Sequence, residues 1–185
     1  MIYALLRRAL FAMDAEAAHE WTTEQMRHLQ QIPIALRAIE RICRPPGSSR
    51  KLLGLDFRSP IGIAAGFDKN AVLMPFLAAL GFGFVEVGTV TPRPQSANPK
   101  PRMFRDPAGR ALVNRLGFNN LGVERVVENL RRRKFTGICG VNIGKNRDTA
   151  IEHAGDDYEY CFKRVAPVAD YVTLNLSSPN TPGLR

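Results

Sequence analysis

The spacing of hydrophobic residues changes near residue 45 and divides the chain into two parts. Between residues 3 and 42 the apolar residues recur at helical intervals, and Leu6, Leu10 and Met13 form one such stripe. Asp14 is placed to cap a second helix, and Pro33 is placed to begin a third. Arginines interrupt the stripes, so the pattern predicts short amphipathic helices. Such helices either cover a core or rest on a membrane surface, and the spacing leaves both open.

Beyond residue 52, short apolar runs alternate with helical patterns, which is typical of parallel strands joined by helices. The predicted strands are residues 61–65, 84–88, 141–144 and 171–176. One predicted helix ends near Leu80, a second begins near Leu121, and a third covers residues 156–168. Four such units in succession predict an α/β fold with either a barrel or a doubly wound sheet. The sequence contains neither the Rossmann glycine fingerprint nor a P-loop.

Polar side chains follow the carboxyl end of each predicted strand. The richest segment is residues 175–185, which holds asparagines, serines, prolines and a glycine. In parallel sheets these ends share one edge, where ligands usually bind. We therefore expect the following side chains to converge: Lys69, Thr89, Asn142, Lys145, Asn175, Ser178 and Asn180. An ordinary polar turn remains the alternative for any single segment, because Ser, Asn and Pro are common turn formers.

The residue types at these strand ends suit a flat heterocyclic ligand. Small residues such as Ala65, Gly66 and Gly88 allow a ring to lie against the backbone. Amide side chains match the polar edge of a heterocycle, and lysines attract an anion. The sequence therefore predicts a flavin-like cofactor beside a small anionic substrate. It supports hydrolysis poorly, since no histidine and carboxylate pair and no nucleophile elbow occur among these residues.

Charge and cysteine content bear on the binding partners, the metal content and the cellular location of the protein. A net charge of +9 is compatible with nucleic acid, an anionic membrane or an anionic ligand. Its densest run, residues 131–134, ends a helical pattern, where cations interact favourably with the helix dipole, so a solvated helix end is preferred to a nucleic-acid patch. The three cysteines and three histidines lack metal-ligand spacing, which predicts a reduced, cytosolic location without a metal. No apolar run approaches a membrane span, and no cleaved signal is expected at the start.

Five segments, taken together, resemble the dihydroorotate dehydrogenase family. They are AAGFDK at residues 64–69, EVGTVTP at 86–92, NRLGFNN at 114–120, NIGKN at 142–146 and NLSSPN at 175–180. The helical start, with Asp14 and His19, resembles the membrane-associated, quinone-dependent class 2 enzymes. The cytosolic class lacks such a start and has a cysteine where this chain has Ser178. The resemblance covers essentially the whole chain.

This resemblance implies an activity and a set of site residues. The activity is the FMN-dependent oxidation of (S)-dihydroorotate to orotate in pyrimidine biosynthesis, with a quinone as electron acceptor. Ser178 is implied to be the catalytic base, with Thr181 as a hypothetical proton relay, and His19 and Arg105 are implied to line the quinone path. Residues implied to bind FMN are Ala65, Gly66, Phe67, Asp68, Lys69, Thr89, Asn142 and Asn175. Residues implied to hold dihydroorotate are Lys69, Asn114, Arg115, Leu116, Gly117, Phe118, Asn175 and Asn180.

The resemblance also implies an architecture and a location. Residues 1–44 are expected to form a helical region for membrane and quinone, residues 45–51 a linker, and residues 52–185 the first half of a (βα)8 TIM barrel. A complete barrel takes about 250 residues, so further FMN and substrate groups of the family are expected beyond Arg185. The protein is expected on the cytoplasmic side of a bacterial inner membrane, bound peripherally, with ubiquinone or menaquinone as partner. Nucleic acid is not expected as a partner.

Two alternatives accompany this prediction. The first is another flavin-dependent barrel, such as a tRNA-dihydrouridine synthase, which the positive charge favours. Such an enzyme is expected to place a catalytic cysteine in its active site, whereas Cys139 and Cys161 do not follow predicted strands. The second alternative is that the polypeptide as written is an inactive half-barrel, which binds neither FMN nor substrate and associates through its open sheet edges.

Overall fold

Helices form the amino-terminal part of the chain. The computed structural model describes residues 2–43, 49–132 and 137–178. In this structure α1 spans Ile2–Ala12, α2 spans Ala15–Leu29 and α3 spans Pro33–Cys43. The Asp14 carboxylate accepts hydrogen bonds from the backbone N–H groups of Glu16 (2.9 Å) and Ala17 (3.1 Å), which stabilises the first turn of α2. The predicted helices and the predicted cap are confirmed.

A short antiparallel hairpin, which the sequence pattern does not predict, follows the helices. Strand β1, Arg50–Leu52, pairs with strand β2, Leu55–Phe57. Arg50 and Lys51, assigned to the linker from the sequence, instead form the start of β1, while linker residues 45–48 lie outside the described residues. Leu53 and Gly54 at the turn have φ values of +50° and +80°. A tight hairpin turn requires this backbone conformation, but Leu-Gly is not one of the residue pairs that usually signal it.

The main sheet is parallel and three-stranded among the described residues. Strand β3 spans Phe84–Val90, β4 spans Met103–Asp106, β5 spans Ala111–Asn114, β6 spans Ile138–Ile143 and β7 spans Tyr171–Leu174. The parallel order is β3-β6-β7, whereas β4 and β5 form a separate antiparallel hairpin that the sequence does not predict. Helices α4 (Met74–Ala79), α5 (Val123–Arg132) and α6 (Ala154–Val165) connect the strands. The predicted α/β class and the last three predicted strands are confirmed.

The first predicted strand, residues 61–65, is less regular than expected. Ile63 alone forms a parallel bridge, to Val85 of β3. The backbone N–H of Ile63 donates to Phe84 O (3.0 Å), and the N–H of Glu86 donates to Ile63 O (2.8 Å). Ile61 is 65% exposed, so the expectation of a fully buried strand is wrong. The segment still runs beside β3 and delivers the following loop to the carboxyl edge of the sheet.

The two faces of the parallel sheet differ in chemistry because strand side chains alternate. On one face Val85, Val87, Val141 and Ile143 are fully buried in a cluster with residues of α4, α5 and α6. The other face carries polar side chains at Glu86, Asn142 and Thr173, which form hydrogen bonds with one another. Among the described elements, α4, α5 and α6 pack on the first face, and the second face carries the polar side chains.

Basic residues lie at the exposed end of α5. Arg131 and Arg132 occupy the exposed last turn of α5, which agrees with a solvated helix end, while residues 133–136 lie outside the described part. None of the described helices is both long enough and apolar enough to span a membrane.

Candidate functional site

A cavity of about 620 Å³ opens at the carboxyl edge of the parallel sheet. Its walls come from α1 and α2, from the loop after residue 65, from the β4–β5 hairpin and from the segments that follow β5 and β7. Many of the residues predicted from the sequence line it: Ala65, Gly66, Phe67, Lys69, Thr89, Asn114, Leu116, Gly117, Phe118, Asn175 and Ser178. The predicted convergence of strand ends is therefore confirmed for Lys69, Thr89, Asn175 and Ser178.

Gly66 gives the cavity a wall made of backbone. Its φ is +111°, which only glycine adopts readily, and a Cβ built on it would meet no atom within 4 Å. The Gly66 N–H donates to Gly88 O (2.8 Å) and fixes the loop to β3. At Gly88 itself φ is +110°, and a Cβ would overlap the carbonyl oxygen of Asn142. Glycines thus allow both an open surface and a close approach of β3 to β6.

A hydrogen-bonded set of side chains crosses the ends of the three parallel strands. The hydroxyl of Thr89 donates to Asn142 Oδ1 at 2.6 Å. Asn175 Nδ2 donates to Thr89 Oγ1 (3.1 Å) and to Asn142 Oδ1 (3.3 Å). Asn142 Nδ2 in turn donates to Glu86 Oε1 at 2.9 Å. Thr89 and Asn142 are buried, and polar groups linked in this way hold defined orientations, which is what recognition of a ligand edge requires.

Lys69 supplies positive charge to the same cavity. Its Nζ donates to Gly66 O at 3.0 Å. Burial lowers the pKa of Lys69, the nearby Arg102 guanidinium lowers it further, and Glu16 opposes the shift. A partly desolvated ammonium group attracts a carboxylate more strongly than an exposed one does, because less water competes for the ion.

The helices α1 and α2 close the other side of the cavity. Their contribution to the lining consists of Leu10, Phe11, Ala15, Ala18, His19 and Thr22. The His19 ring meets Phe67 edge to face at 5.6 Å, and its pKa is lowered first by burial and then by Lys69. Arg105 donates to Met13 O at 2.9 Å and lies over the Phe11 ring at 4.8 Å. Both residues that the resemblance assigns to the quinone path therefore line this cavity.

An ion pair fastens α2 to the segment before β4. Glu16 is 6% exposed, and its Oε1 accepts hydrogen bonds from Arg102 Nε (2.9 Å) and from a terminal guanidinium nitrogen (2.5 Å). Arg102 also donates to Asn98 O at 2.7 Å, and Lys100 lies 3.8 Å from Glu16. The helical wall is consequently held against the rest of the site by paired charges as well as by apolar contacts.

The loop after β5 forms the roof. Gly117 and Phe118 have φ values of +78° and +55°, which bend the chain toward the cavity. Gln95 Nε2 donates to Gly117 O at 3.1 Å, and Asn98 Nδ2 donates to Arg115 O at 2.8 Å. A Cβ on Gly117 would lie 2.8 Å from the Asn98 amide nitrogen, so this close packing requires glycine.

Four of the predicted residues that the structure describes do not line the cavity. The Asp68 carboxylate is 1% exposed and accepts from the N–H groups of Val72 and Leu73, so it orders the loop before α4, and burial raises its pKa. The Arg115 guanidinium binds Pro101 O at 2.8 Å. Asn142 lies beneath the lining, within the hydrogen-bonded set.

Lys145, the fourth of these residues, is also directed away from the cavity. Its side chain is 2% exposed and donates to the backbone oxygens of Thr149 (2.9 Å) and Asn146 (3.2 Å). The expectation that it reaches the ligand edge is wrong, because these carbonyl oxygens bind its ammonium group in the interior. Asn180 and Thr181 lie outside the described residues.

The sequence prediction missed Glu86, Tyr171 and Thr173. Glu86 Oε2 accepts from the Tyr171 hydroxyl (3.1 Å) and from Thr173 Oγ1 (3.2 Å). The available signal was alternation: Glu86 lies on the opposite face of β3 from Val85 and Val87, which are completely buried.

The cysteines do not contribute to the cavity. Cys139 and Cys161 are 0% exposed within β6 and α6, and burial raises the pKa of the Cys161 thiol to about 12. Within the described ranges no cysteine lies among the cavity residues. The catalytic cysteine expected of a tRNA-dihydrouridine synthase is thus not found there.

Comparison with known proteins places this geometry in context. Residues 48–185 match the family model described as Dihydroorotate dehydrogenase. The chain is 50% identical over 185 residues to the dihydroorotate dehydrogenase (quinone) of Cronobacter sakazakii, covering 100% of this chain and 54% of that protein. It is 53% identical over 184 residues to the enzyme of the same name from Burkholderia cenocepacia, covering 52% of that protein. The chain thus spans about half the length of the curated relatives it matches.

Solved structures are similar as well. Ligand-free DHODH from Eimeria tenella aligns with a TM-score of 0.70 and 39% identity, over 92% of this chain and 48% of that one. The complex of the Eimeria tenella enzyme with ferulenol aligns with a TM-score of 0.68 and 42% identity, over 82% of this chain and 45% of the other.

Proposed function

The chain belongs to the dihydroorotate dehydrogenase family, and from this membership we propose that the protein oxidises dihydroorotate to orotate with bound FMN and passes the electrons to a quinone. The observation that carries the proposal is the cavity at the carboxyl edge of the sheet. It combines a backbone wall at Gly66, the amide of Asn175, the cation of Lys69 and the hydroxyl of Ser178. These groups match a flat heterocycle beside a small anion.

The cavity residues fit a flavin. A planar ring needs a surface without projecting side chains, and the open space above Gly66 supplies one. Thr89 and Asn175 border the same space with their polar atoms already oriented by hydrogen bonds. Asn142 would support the cofactor site from beneath the lining. The cofactor itself would be held by Ala65, Gly66, Phe67, Lys69, Thr89 and Asn175. When bound, FMN supplies the acceptor for the hydride that leaves C6 of dihydroorotate.

The remaining chemistry belongs to the protein. Ser178 Oγ is proposed to take the proton from C5, so that the loss of one proton and one hydride together creates the double bond of orotate. Lys69 would attract the substrate carboxylate, and Asn114 and Asn175 would bind its polar edge. Phe118, held over the cavity by its left-handed backbone, would exclude water from Ser178. A serine hydroxyl becomes a useful base only where its own proton can be passed on.

We also propose a membrane-facing role for the helices. Large apolar side chains of α1 to α3 are exposed: Leu5 (63%), Leu6 (51%), Trp21 (49%), Ile34 (79%) and Ile42 (82%). Exposed arginines occur on the same helices, including Arg7, Arg8, Arg37 and Arg41. Amphipathic helices of this kind bind the interface of anionic bilayers. A quinone dissolved in the bilayer would then enter between α1 and α2, beside His19 and Arg105, at the cytoplasmic face of a bacterial inner membrane.

The architecture proposed for this function is a (βα)8 barrel over the region that follows the helices. The parallel order β3-β6-β7, with residues 61–65 beside β3, supports it, because consecutive βα units occupy neighbouring positions as in a barrel wall. Ligands of such barrels bind at the carboxyl ends of the strands, which is where this cavity lies.

Substitution of the proposed base tests the reaction. In the full-length protein, Ser178→Ala should slow flavin reduction by dihydroorotate at least ~100-fold and leave FMN bound, because general bases commonly contribute ~10² to 10⁴ in rate. Ser177→Ala is the matched control, since Ser177 is exposed and does not line the cavity. Rapid mixing under anaerobic conditions measures the bleaching of the flavin. Near-normal bleaching in Ser178→Ala would reject Ser178 as the base.

A further inference from the structure

Glu86 lies at the centre of the hydrogen-bonded set but outside the cavity lining. Its carboxylate accepts from Asn142 Nδ2 (2.9 Å) on one oxygen, and from the hydroxyls of Tyr171 (3.1 Å) and Thr173 (3.2 Å) on the other. These donors are all neutral. No ion pair of Glu86 occurs within the described residues, and its carboxylate is bound by neutral hydrogen-bond donors.

The fold is arranged to bring these groups to Glu86. In the sheet register Glu86 of β3 is opposite Gly140 of β6, and Gly140 is opposite Tyr171 of β7. A Cβ at Gly140 would overlap the Tyr171 ring, so glycine at this position lets Tyr171 lean across β6. The pKa of Tyr171 is raised, first by burial and then by the charge of Glu86. This agrees with a hydroxyl that stays protonated and donates a hydrogen bond to Glu86.

Glu86 determines which way the neighbouring amides point. A carboxylate can only accept hydrogen bonds, so Asn142 must turn its NH₂ group toward Glu86 and its Oδ1 toward the cavity side. That oxygen accepts from Thr89 and Asn175, whose orientations are thereby fixed as well. Every hydrogen bond in the chain from Asn175 to Glu86 therefore runs in one direction, toward the carboxylate.

We propose, on the basis of the proposed flavin function, that Glu86 is a positioning residue: it fixes the orientation of Asn142, Thr89 and Asn175, and its charge disfavours the reduced form of the bound flavin. Reduction adds two electrons and one proton and leaves the flavin more negative by one charge. In the proposed reaction the hydride of dihydroorotate carries both electrons and that proton, and Ser178 takes the second proton. A carboxylate behind the lining repels the added charge, and because Glu86 is only partly exposed, solvent screens this repulsion incompletely.

The test compares Glu86→Gln with wild type in the full-length protein. Glutamine keeps an oxygen that can accept from Asn142, so FMN should remain bound while the charge is lost. The ratio of affinities for reduced over oxidised flavin should rise at least tenfold, a rise in midpoint potential of ~30 mV for a two-electron couple. Spectrophotometric titration against a reference dye measures the potential without substrate or turnover. Glu159→Gln is the control, because Glu159 is exposed on α6 and pairs with Lys163.

The outcomes separate this inference from the proposed function. A wild-type protein that binds no flavin would contradict the proposed function itself. If both proteins bind flavin but the ratio of affinities for reduced over oxidised flavin rises less than tenfold in Glu86→Gln, the role of Glu86 alone is overturned. If Glu86→Gln does not fold, Tyr171→Phe decides: it removes a donor and leaves the charge less well stabilised, so the potential should fall. An unchanged potential in Tyr171→Phe would then overturn the inference.

Discussion

The ion pair between Glu16 and Arg102 provides a quantitative test of how the helical wall is held. The perturbation is Arg102→Met, which keeps much of the side-chain volume and removes the charge. The side chains of Arg102 and Glu16 are only 17% and 8% exposed, so the substitution leaves a carboxylate largely buried. Breaking a buried pair costs ~3–5 kcal/mol. Because Lys100 remains 3.8 Å from Glu16 and Arg102 is not fully buried, we expect a loss of about 2–3 kcal/mol.

The assay is equilibrium unfolding in urea, with Arg27→Met as the matched control. Arg27 also pairs with a glutamate, Glu24, but the two side chains are 55% and 44% exposed, so the loss should stay below ~1 kcal/mol. Adding Glu16→Gln to Arg102→Met should restore at least ~1 kcal/mol, because the buried charge is then gone. A loss for Arg102→Met no larger than for Arg27→Met would refute the view that this pair anchors α2.

Three other outcomes are expected. The folded pKa of His19 is lowered, so the folded state binds its proton less tightly than the unfolded state; unfolding free energy should fall as pH drops below about 6.5, and less so in His19→Gln. Unfolding curves at pH 7.5 and 5.5 measure this. An equal loss of unfolding free energy between these pH values in wild type and His19→Gln would contradict it. Gly88→Ala should cost at least ~2 kcal/mol because of positive φ and overlap, whereas Gly155→Ala, with open space around it, should not destabilise; equal unfolding midpoints would contradict the packing at Gly88. Replacing Leu5 and Leu6 by serine should weaken binding to anionic vesicles at least ~10-fold in sedimentation, and leave flavin reduction by dihydroorotate unchanged; undiminished binding would argue against membrane attachment through α1.

Local signals in the sequence were sufficient for much of the fold. Asp14 predicted the start of α2 because a cap acts on the next three residues. The apolar runs within β3 and β6 predicted these strands, and the helices that pack on them explain why the runs are apolar. The convergence of Lys69, Thr89 and Asn175 followed from parallel strand direction alone.

Features set by register or by unusual turns were not predictable. Strand β5 is exposed at every position, so it lacks the alternation that marks a strand. The β1–β2 turn uses Leu53, whose type gives no turn signal. The contacts of Glu86 with Tyr171 and Thr173 join residues more than 80 positions apart and depend on the pairing of β6 with both neighbours. The burial of Lys145 likewise depends on carbonyl groups of its own loop.

The most direct test of the account is the visible spectrum of the purified full-length protein before and after anaerobic addition of dihydroorotate. We predict a flavin spectrum close to one FMN per chain, which dihydroorotate bleaches and a quinone restores. A flavin spectrum that dihydroorotate leaves unchanged, or a protein that takes up no FMN, would contradict the assignment of this cavity to dihydroorotate oxidation.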